Sequence, residues 1–347
     1  MLRYIVAGVN KNARPNIWTR CSPMRKICLF LAVLAVGLLA YSCSKKPAPT
    51  GTKEKVRVAF VSNTVSPFWR IAKAGVTAGE RDFNVQCDFR MPAKGDVGEQ
   101  KQILEDLLVK GVSGIAVSPI SPANQTDILN KVAESVNLIT MDSDAPESKR
   151  ICYVGTDNYA AGRRAGEEIK KALPNGGKVV IFVGRLDALN AKQRRQGIID
   201  AVKGSKVQVV DTLTDNADHV KAKENVENTL VKRPDVAGLM GLWSYNGPAI
   251  AEAVKAAGKQ GKVKIVTFDE EDGTLQAIKE GVIFSTIVQN PYEFGYQSMR
   301  ILAALARGED PKIPKNKLIF LPERVINRDN VDTFWADLKK HMAEGSK

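Results

Sequence analysis

The sequence predicts an α/β protein made of two doubly wound parallel-sheet lobes. Three observations carry that expectation. From Val56 onward, short β-rich runs alternate with amphipathic stretches, the order of repeated βα units. The strand runs are continuously apolar rather than alternating, as parallel strands covered on both faces require. The alternation then restarts near residue 178, in a chain of 347 residues that suits two domains of about 150 each.

Taken in order, VRVAFV (56–61) opens the first unit and a helical segment begins near Phe68. FNVQCDF (83–89) leads into a helix through EQKQILEDLLVKG, where Ile103, Leu104, Leu107 and Leu108 form one apolar stripe. GIAVS (114–118) precedes another helix, NLITMD (137–142) ends in acidic residues, and YVG (153–155) feeds the helix AAGRRAGEEIKKAL. The second unit runs KVVIFVG (178–184), VQVVDTL (207–213), AGLMGLW (237–243), KIVTFD (264–269) and FSTIVQ (284–289), with helices starting near 190, 219, 247 and 272.

Ahead of this alternation, Met24 to Cys43 has the order of a signal peptide. Arg25 and Lys26 precede an uncharged run, Ile27 to Leu39, that is short for a membrane span. Ala40-Tyr41-Ser42 before Cys43 resembles a bacterial lipobox, in which Cys43 is lipidated and becomes the first mature residue. Tyr41 is bulky for that motif, and the alternatives are cleavage without lipidation or an uncleaved anchor. Residues 1–42 are thus expected to be removed, with Met24 a possible true start, and 43–54 to form a polar tether. The net charge of +13 includes six basic residues and no acidic one within 1–42; removing them leaves +7 without a basic block. That distribution argues for solvated helix surfaces and against nucleic acid as a partner. Cys87 and Cys152 fit either a disulfide or two small buried side chains. Two histidines and no paired cysteines leave no zinc site, and no cofactor is expected.

Open parallel sheets bind ligands at the carboxyl ends of their strands. Here those ends carry Ser62, Asn63, Ser66, Phe68 and Trp69; Asp142, Ser143 and Asp144; Arg185 to Arg194; Trp243 to Asn246; Phe268-Asp269; and Gln289-Asn290. Carboxylates, a guanidinium and amides suit a ring of hydroxyls, each both donor and acceptor, and aromatic faces suit the apolar C–H faces of a sugar. Each residue also has a plainer role. Asp142 can open a turn, one of Arg194 and Arg195 can be solvated, Phe68 and Trp69 can be core, and Gln289-Asn290-Pro291 can be a strand exit.

The segments VSNTVSPFW (61–69), ITMDSDAP (139–146), YVGTDNYAAGRRAGEEI (153–169), NAKQRRQG (190–197), YNGPAIAEAV (245–254), VTFDEEDGTLQAIKEG (266–281) and STIVQNPYEFGY (285–296) keep the order and spacing of a known family. Over residues 55–330 the chain resembles the periplasmic sugar-binding proteins of ABC transporters, in particular the ribose-binding-like group. That resemblance implies the type I periplasmic binding protein fold, with three strands linking the lobes as a hinge near Asn158 and Asn290. The N-terminal lobe would take 55–157 and 291–321, and the C-terminal lobe 158–290 and 322–347. It implies that Ser62, Ser66, Phe68 and Trp69 line the first lobe, with the two aromatics sandwiching the ring. Asp142 would hold paired hydroxyls beside Ser143, where ribose binders carry Arg. Arg194 matches the Arg of the R-x-x-G pattern, and His219 falls where an aromatic often stands. Tyr245 and Asn246 occupy an Asn-Asp pair, removing one acidic contact, while Asp269 and Gln289 match.

The function expected is capture of a monosaccharide or polyol by a monomeric, exported, lipid-anchored protein that delivers it to a membrane permease. The other reading is an accessory protein that reports ligand to a membrane receptor. A repressor would need a helix-turn-helix before residue 60, where the apolar signal run stands. An enzyme is disfavoured: the chain has neither G-x-x-x-x-G-K-[ST] nor G-x-G-x-x-G after the first strand, and only His219 and His341 as bases.

Overall fold

A computed structural model describes residues 55–344; the signal segment, Cys43 and the tether lie outside the described residues. Two six-stranded sheets form the framework. The first contains β1 (Val56–Val61), β2 (Val85–Arg90), β3 (Gly114–Val117), β4 (Asn137–Met141), β5 (Tyr153–Gly155) and β11 (Leu318–Phe320), in the order β11-β5-β4-β3-β1-β2. All its pairings are parallel. The second contains β6 (Gly177–Val183), β7 (Val207–Thr214), β8 (Val236–Gly241), β9 (Lys264–Phe268), β10 (Ser285–Val288) and β12 (Arg324–Asn327), ordered β12-β10-β9-β8-β6-β7. Only β12 runs antiparallel to its neighbour.

Each sheet is covered on both faces, which is why its strands read as unbroken apolar runs. Along β1, Val58 and Phe60 enter one core cluster while Ala59 and Val61 enter another. Along β6, Val180 and Phe182 alternate in the same way with Val179, Ile181 and Val183. The covering helices are α1 (Pro67–Asp82), α2 (Val97–Val109), α3 (Pro122–Ser135), α4 (Asn158–Ala172), α5 (Leu189–Val202), α6 (His219–Lys232), α7 (Asn246–Ala256), α8 (Asp272–Lys279), α9 (Pro291–Arg307) and α10 (Val331–Glu344). Among the described residues no helix is long and apolar enough to cross a membrane.

The chain passes between the sheets three times: after β5, after β10, and between β11 and β12. Both helical re-entries are capped by side chains: Asp157 accepts from the Ala160 N–H at α4, and Asn290 accepts from the Glu293 N–H at α9. Each helix then packs closely against the helix that follows its lobe's first strand. A Cβ at Gly162 of α4 would stand 2.2 Å from the Arg194 carbonyl of α5, and one at Gly75 of α1 would fall 1.8 Å from the Tyr292 carbonyl of α9. Only glycine permits backbones this close.

Several expected strands end early, among them β4 at Met141 and β9 at Phe268, each one residue short. The next residues, Asp142 and Asp269, have left-handed backbones with φ of 59° and 69°. Likewise Asn84 at φ 48° delays β2 to Val85. Cys87 and Cys152 are free thiols. Cys87 sits on β2 and Cys152 just before β5, with β1, β3 and β4 between those strands, so the disulfide alternative falls away.

Candidate ligand-binding site

The carboxyl ends of the two sheets face one cavity of about 340 Å³, part of it open to solvent. Eight of the twelve expected residues line it: Ser66, Phe68, Trp69, Asp142, Arg194, Tyr245, Asp269 and Gln289.

Asp142 and Asp269 occupy the same position in their sheets, the residue after the third strand in from the β11 or β12 edge. A left-handed backbone is uncommon for a non-glycine residue, and Asp is among the few that tolerate it. Buried donors hold each one there. The Tyr153 hydroxyl (2.9 Å) and Asn158 Nδ2 (3.3 Å) donate to the Asp142 carbonyl, and Thr286 Oγ1 donates to the Asp269 carbonyl at 2.8 Å. The sharp exit turns both carboxyl groups into the cavity rather than along the strands.

Their surroundings differ. Asp142 Oδ2 accepts from Ser118 Oγ at 2.7 Å, and from Asn63 Nδ2 and Asn190 Nδ2 at 3.3 Å each. The last bond crosses from one lobe to the other. Asp269 Oδ1 accepts from Gln289 Nε2 at 2.8 Å. Burial pushes the Asp142 carboxyl above the usual carboxylate range, against the pull of Arg194, Ser118 and Asn190. Burial pushes Asp269 up to about 6, with Arg194 and Gln289 opposing and the Asp142 charge adding to the rise.

Arg194 is the buried cation that both carboxylates feel, only 1% exposed. Its Nε donates to Asn158 Oδ1 at 2.8 Å, its Nη1 donates to the Leu242 carbonyl at 2.7 Å, and the guanidinium lies 4.4 Å from the centroid of the Phe268 ring. The remaining nitrogen, Nη2, has no partner. Arg195 instead reaches Thr212 Oγ1 and does not line the cavity, so the two adjacent arginines separate into a site residue and a supporting one.

The aromatic pair is not arranged as the resemblance implies. Phe68 and Trp69 meet at 88° with centroids 5.0 Å apart, so no ring fits flat between them. Trp69 is 2% exposed and packs edge-on against Phe60, joining core to cavity wall. The other two aromatics at the cavity, Trp243 and Tyr245, come from the other lobe.

Four expected residues do not line the cavity. Ser62 is fully buried and donates to the Thr64 carbonyl. Ser143 is fully buried, with an unpartnered hydroxyl. The His219 ring stacks on Tyr245 at 4.4 Å and 12°. Asn246 turns away: its Oδ1 accepts from the Trp243 N–H, and its Nδ2 donates to Asp215. Asp215, 1% exposed, also accepts from the Tyr245 hydroxyl at 2.6 Å. The acid missing from the Tyr245-Asn246 pair is therefore supplied from the end of β7, one layer behind the wall. Asp144 is taken out of reach by a bidentate pair with Arg150.

Asn63, Asn190, Trp243 and Ser244, placed at strand ends by the sequence but not assigned to the ligand, also line the cavity, as does Thr64. Asn190 had a readable signal, since it precedes Arg194 by four residues and so shares its helix face. Trp243 had only its place at a strand end.

Four buried polar atoms on cavity residues lack partners: two donors, Arg194 Nη2 and Trp243 Nε1, and two acceptors, Asn190 Oδ1 and Gln289 Oε1. Unpaired buried polar groups are costly and uncommon. A mixed donor and acceptor set beside two carboxylates matches a ligand whose hydroxyls both give and accept.

The comparisons agree with this geometry. Residues 58–310 match the periplasmic binding protein domain. The chain is 29% identical over 256 residues to the D-allose-binding periplasmic protein of Escherichia coli K12, covering 70% of this chain and 82% of that one. It is 26% identical over 296 residues to the ribose import binding protein of Haemophilus influenzae, covering 84% and 97%. Among solved structures, an ABC transporter solute-binding protein from Burkholderia graminis in complex with D-arabinose superposes with a TM-score of 0.76 at 30% identity, covering 81% of this chain and 98% of that one. A chain of the XylFII–LytSN complex does so at 0.74 and 28%, covering 79% and 98%. These relatives are binding proteins rather than enzymes. From the two parallel-sheet lobes, the cavity at their facing strand ends and the match over 58–310, the chain belongs to the periplasmic binding protein family and has the fold of its type I sugar-binding members.

Proposed function

We propose that this chain captures a monosaccharide or related polyol between its lobes and hands it to the permease of an ABC importer. One observation carries the reading: the two carboxylates and the four unpartnered donor and acceptor atoms that converge on one cavity. The relatives support the ligand class, being binding proteins for D-allose, ribose and D-arabinose. The three crossings between the sheets supply a hinge, and Asp142 and Asn190, one from each lobe, meet when it is shut. The protein works as an exported monomer, held at the membrane through lipidated Cys43 and the 43–54 tether, with no bound cofactor and no nucleic-acid partner.

Thermal unfolding of the purified chain across aldopentoses, aldohexoses and polyols tests this. A ligand at 100 times its dissociation constant stabilises the native state by about 2.7 kcal/mol, readable as a shift of several degrees. No shift with any of them would overturn the proposal. Metabolic labelling with a fatty-acid analogue, lost in Cys43→Ala, tests the anchor. The likeness to a chain of the XylFII–LytSN complex favours one other reading, delivery of the ligand signal to a partner protein rather than to a permease. Pull-down of permease components or of a receptor by the sugar-loaded protein separates the two.

A further inference from the structure

A second groove adjoins the sugar cavity and shares its wall. Phe68 and Ser244 line both spaces. The groove encloses about 1,170 Å³, part of it open to solvent, between the start of α1, the start of α8 and the face of α10. Its walls are mainly apolar, with Pro67 and Ile71 from one lobe opposite Trp335 and Leu338 from the other. At its inner side stands Glu270, 5% exposed, whose Oε2 has no hydrogen-bond partner. The neighbouring acids are already engaged: Glu271 accepts from Ser244 Oγ at 2.8 Å, and Asp272 accepts from Trp335 Nε1 at 2.9 Å.

The outer wall is peculiar in its origin. Helix α10 leaves the second lobe after β12, is pinned to α8 by the Lys279–Asp332 ion pair at 2.5 Å, and extends to α1 of the first lobe. It lies beyond residue 310, where the family match ends. One wall of the groove therefore lies outside the matched region, while the walls from α1 and the start of α8 lie inside it.

We infer that the groove is a second subsite, continuous with the sugar cavity, that receives a flat apolar substituent carried by the sugar. This rests on the sugar-binding reading above. Apolar side chains from α1 and α10, with Pro248 of α7, favour desolvation of an apolar group. The unpartnered Glu270 oxygen, in the groove lining, serves one hydroxyl or amino group of the ligand. Burial and the Asp269 charge push the Glu270 carboxyl well above its ordinary range, with Arg324 opposing.

Calorimetry on the purified full chain tests the inference. The probes are D-ribose, D-allose and D-arabinose, each beside its two anomeric phenyl glycosides, its terminal O-benzyl ether and its methyl glycosides. For the sugar that binds, one aromatic derivative should bind at least about tenfold more tightly than the free sugar, and more tightly than its methyl counterpart. Ile71→Glu, on the groove wall outside the core, should remove that gain while leaving free-sugar affinity within about twofold. Glu270→Gln, nearly the same shape, should reduce the gain without abolishing it. If the free sugar binds and no aromatic derivative gains, or if the gain survives Ile71→Glu, the subsite is wrong and the sugar reading stands. If none of the probes binds, this inference is overturned; if the wider panel of pentoses, hexoses and polyols also fails, the sugar reading falls with it.

Discussion

The two lobes solve the same problem with different degrees of preparation. Each ends its third inward strand in an aspartate with a left-handed backbone, and each fixes that backbone with a buried hydroxyl donating to the aspartate's own carbonyl. Beyond that point they diverge. Asp142 stands among Ser118, Asn63 and Asn190, all donating to one carboxylate oxygen. Asp269 has one side-chain donor, Gln289, and burial lifts it to about 6. The first lobe thus holds a carboxylate largely prepared for binding. The second depends on Arg194 and on the ligand's hydroxyls to stabilise its charge. Arg194 serves both from α5, where the close contact of Gly162 with its backbone sets its height above the sheet.

The largest effect should come from removing what both lobes share. Arg194→Ala leaves two buried carboxylates without their cation. Affinity should fall by at least about a thousandfold, with a loss of stability of about 3–5 kcal/mol, read by calorimetry and by denaturant titration. If sugar affinity survives, the common-cation account is wrong.

Next comes the contrast between the aspartates. Asparagine tolerates the left-handed backbone, so Asp142→Asn and Asp269→Asn remove charge without adding strain. Both should weaken binding, by about a hundredfold for Asp142, whose three donors lose their ionised acceptor, and less for Asp269. Equal losses would erase the asymmetry between the lobes.

The pH dependence sharpens the same contrast. Asp269 is raised from 3.8 to about 6 by burial, so the folded protein holds this proton more tightly than the unfolded chain does. Its contribution to ligand-free stability is present below about pH 4 and is lost as pH rises through 6. Ligand hydroxyls that donate to the ionised form should lower this pKa on binding. Affinity should therefore decline as pH drops from 7.5 to 5, and Asp269→Asn should flatten the decline. A profile unchanged in Asp269→Asn would assign the proton elsewhere.

The smallest effect is expected behind the wall. Tyr245→Phe deprives Asp215 of one donor but keeps the ring that lines the cavity and stacks on His219. It should cost about 1–2 kcal/mol of stability and only a few-fold in affinity. A loss as large as that of Asp142→Asn would place the Tyr245 hydroxyl on the ligand itself.

Much of this molecule is legible along the chain. The apolar runs located the eight inner strands, because a strand covered on both faces is mostly apolar, and the βα alternation located the edge strands β2 and β7, which carry Gln86, Asp88, Gln208 and Asp211. Their carboxyl ends located Asp142, Arg194, Asp269 and Gln289, because parallel topology forces loops to converge there. Two short strands, β11 and β12, were less visible, being half-exposed at sheet edges. Ser62, Ser143 and Asn246 stood at the right ends yet face the protein, because direction at a strand exit depends on one or two dihedral angles that composition does not encode. The same holds for Phe68 and Trp69: adjacency on a helix start gave two aromatics near the ligand, and packing against Phe60 turned them perpendicular.

Pattern and spacing therefore sufficed for the two sheets and the chemical character of the cleft, since these follow from which residues must avoid water and in what period; the crossings were implied by the family resemblance. Which carboxylate meets three donors, that Asp215 rather than the cavity takes Asn246, and that α10 walls a second groove all depend on residues brought together from distant parts of the chain. Those contacts are fixed only when the lobes pack, because burial and hydrogen-bond partners belong to the folded arrangement and not to any one segment.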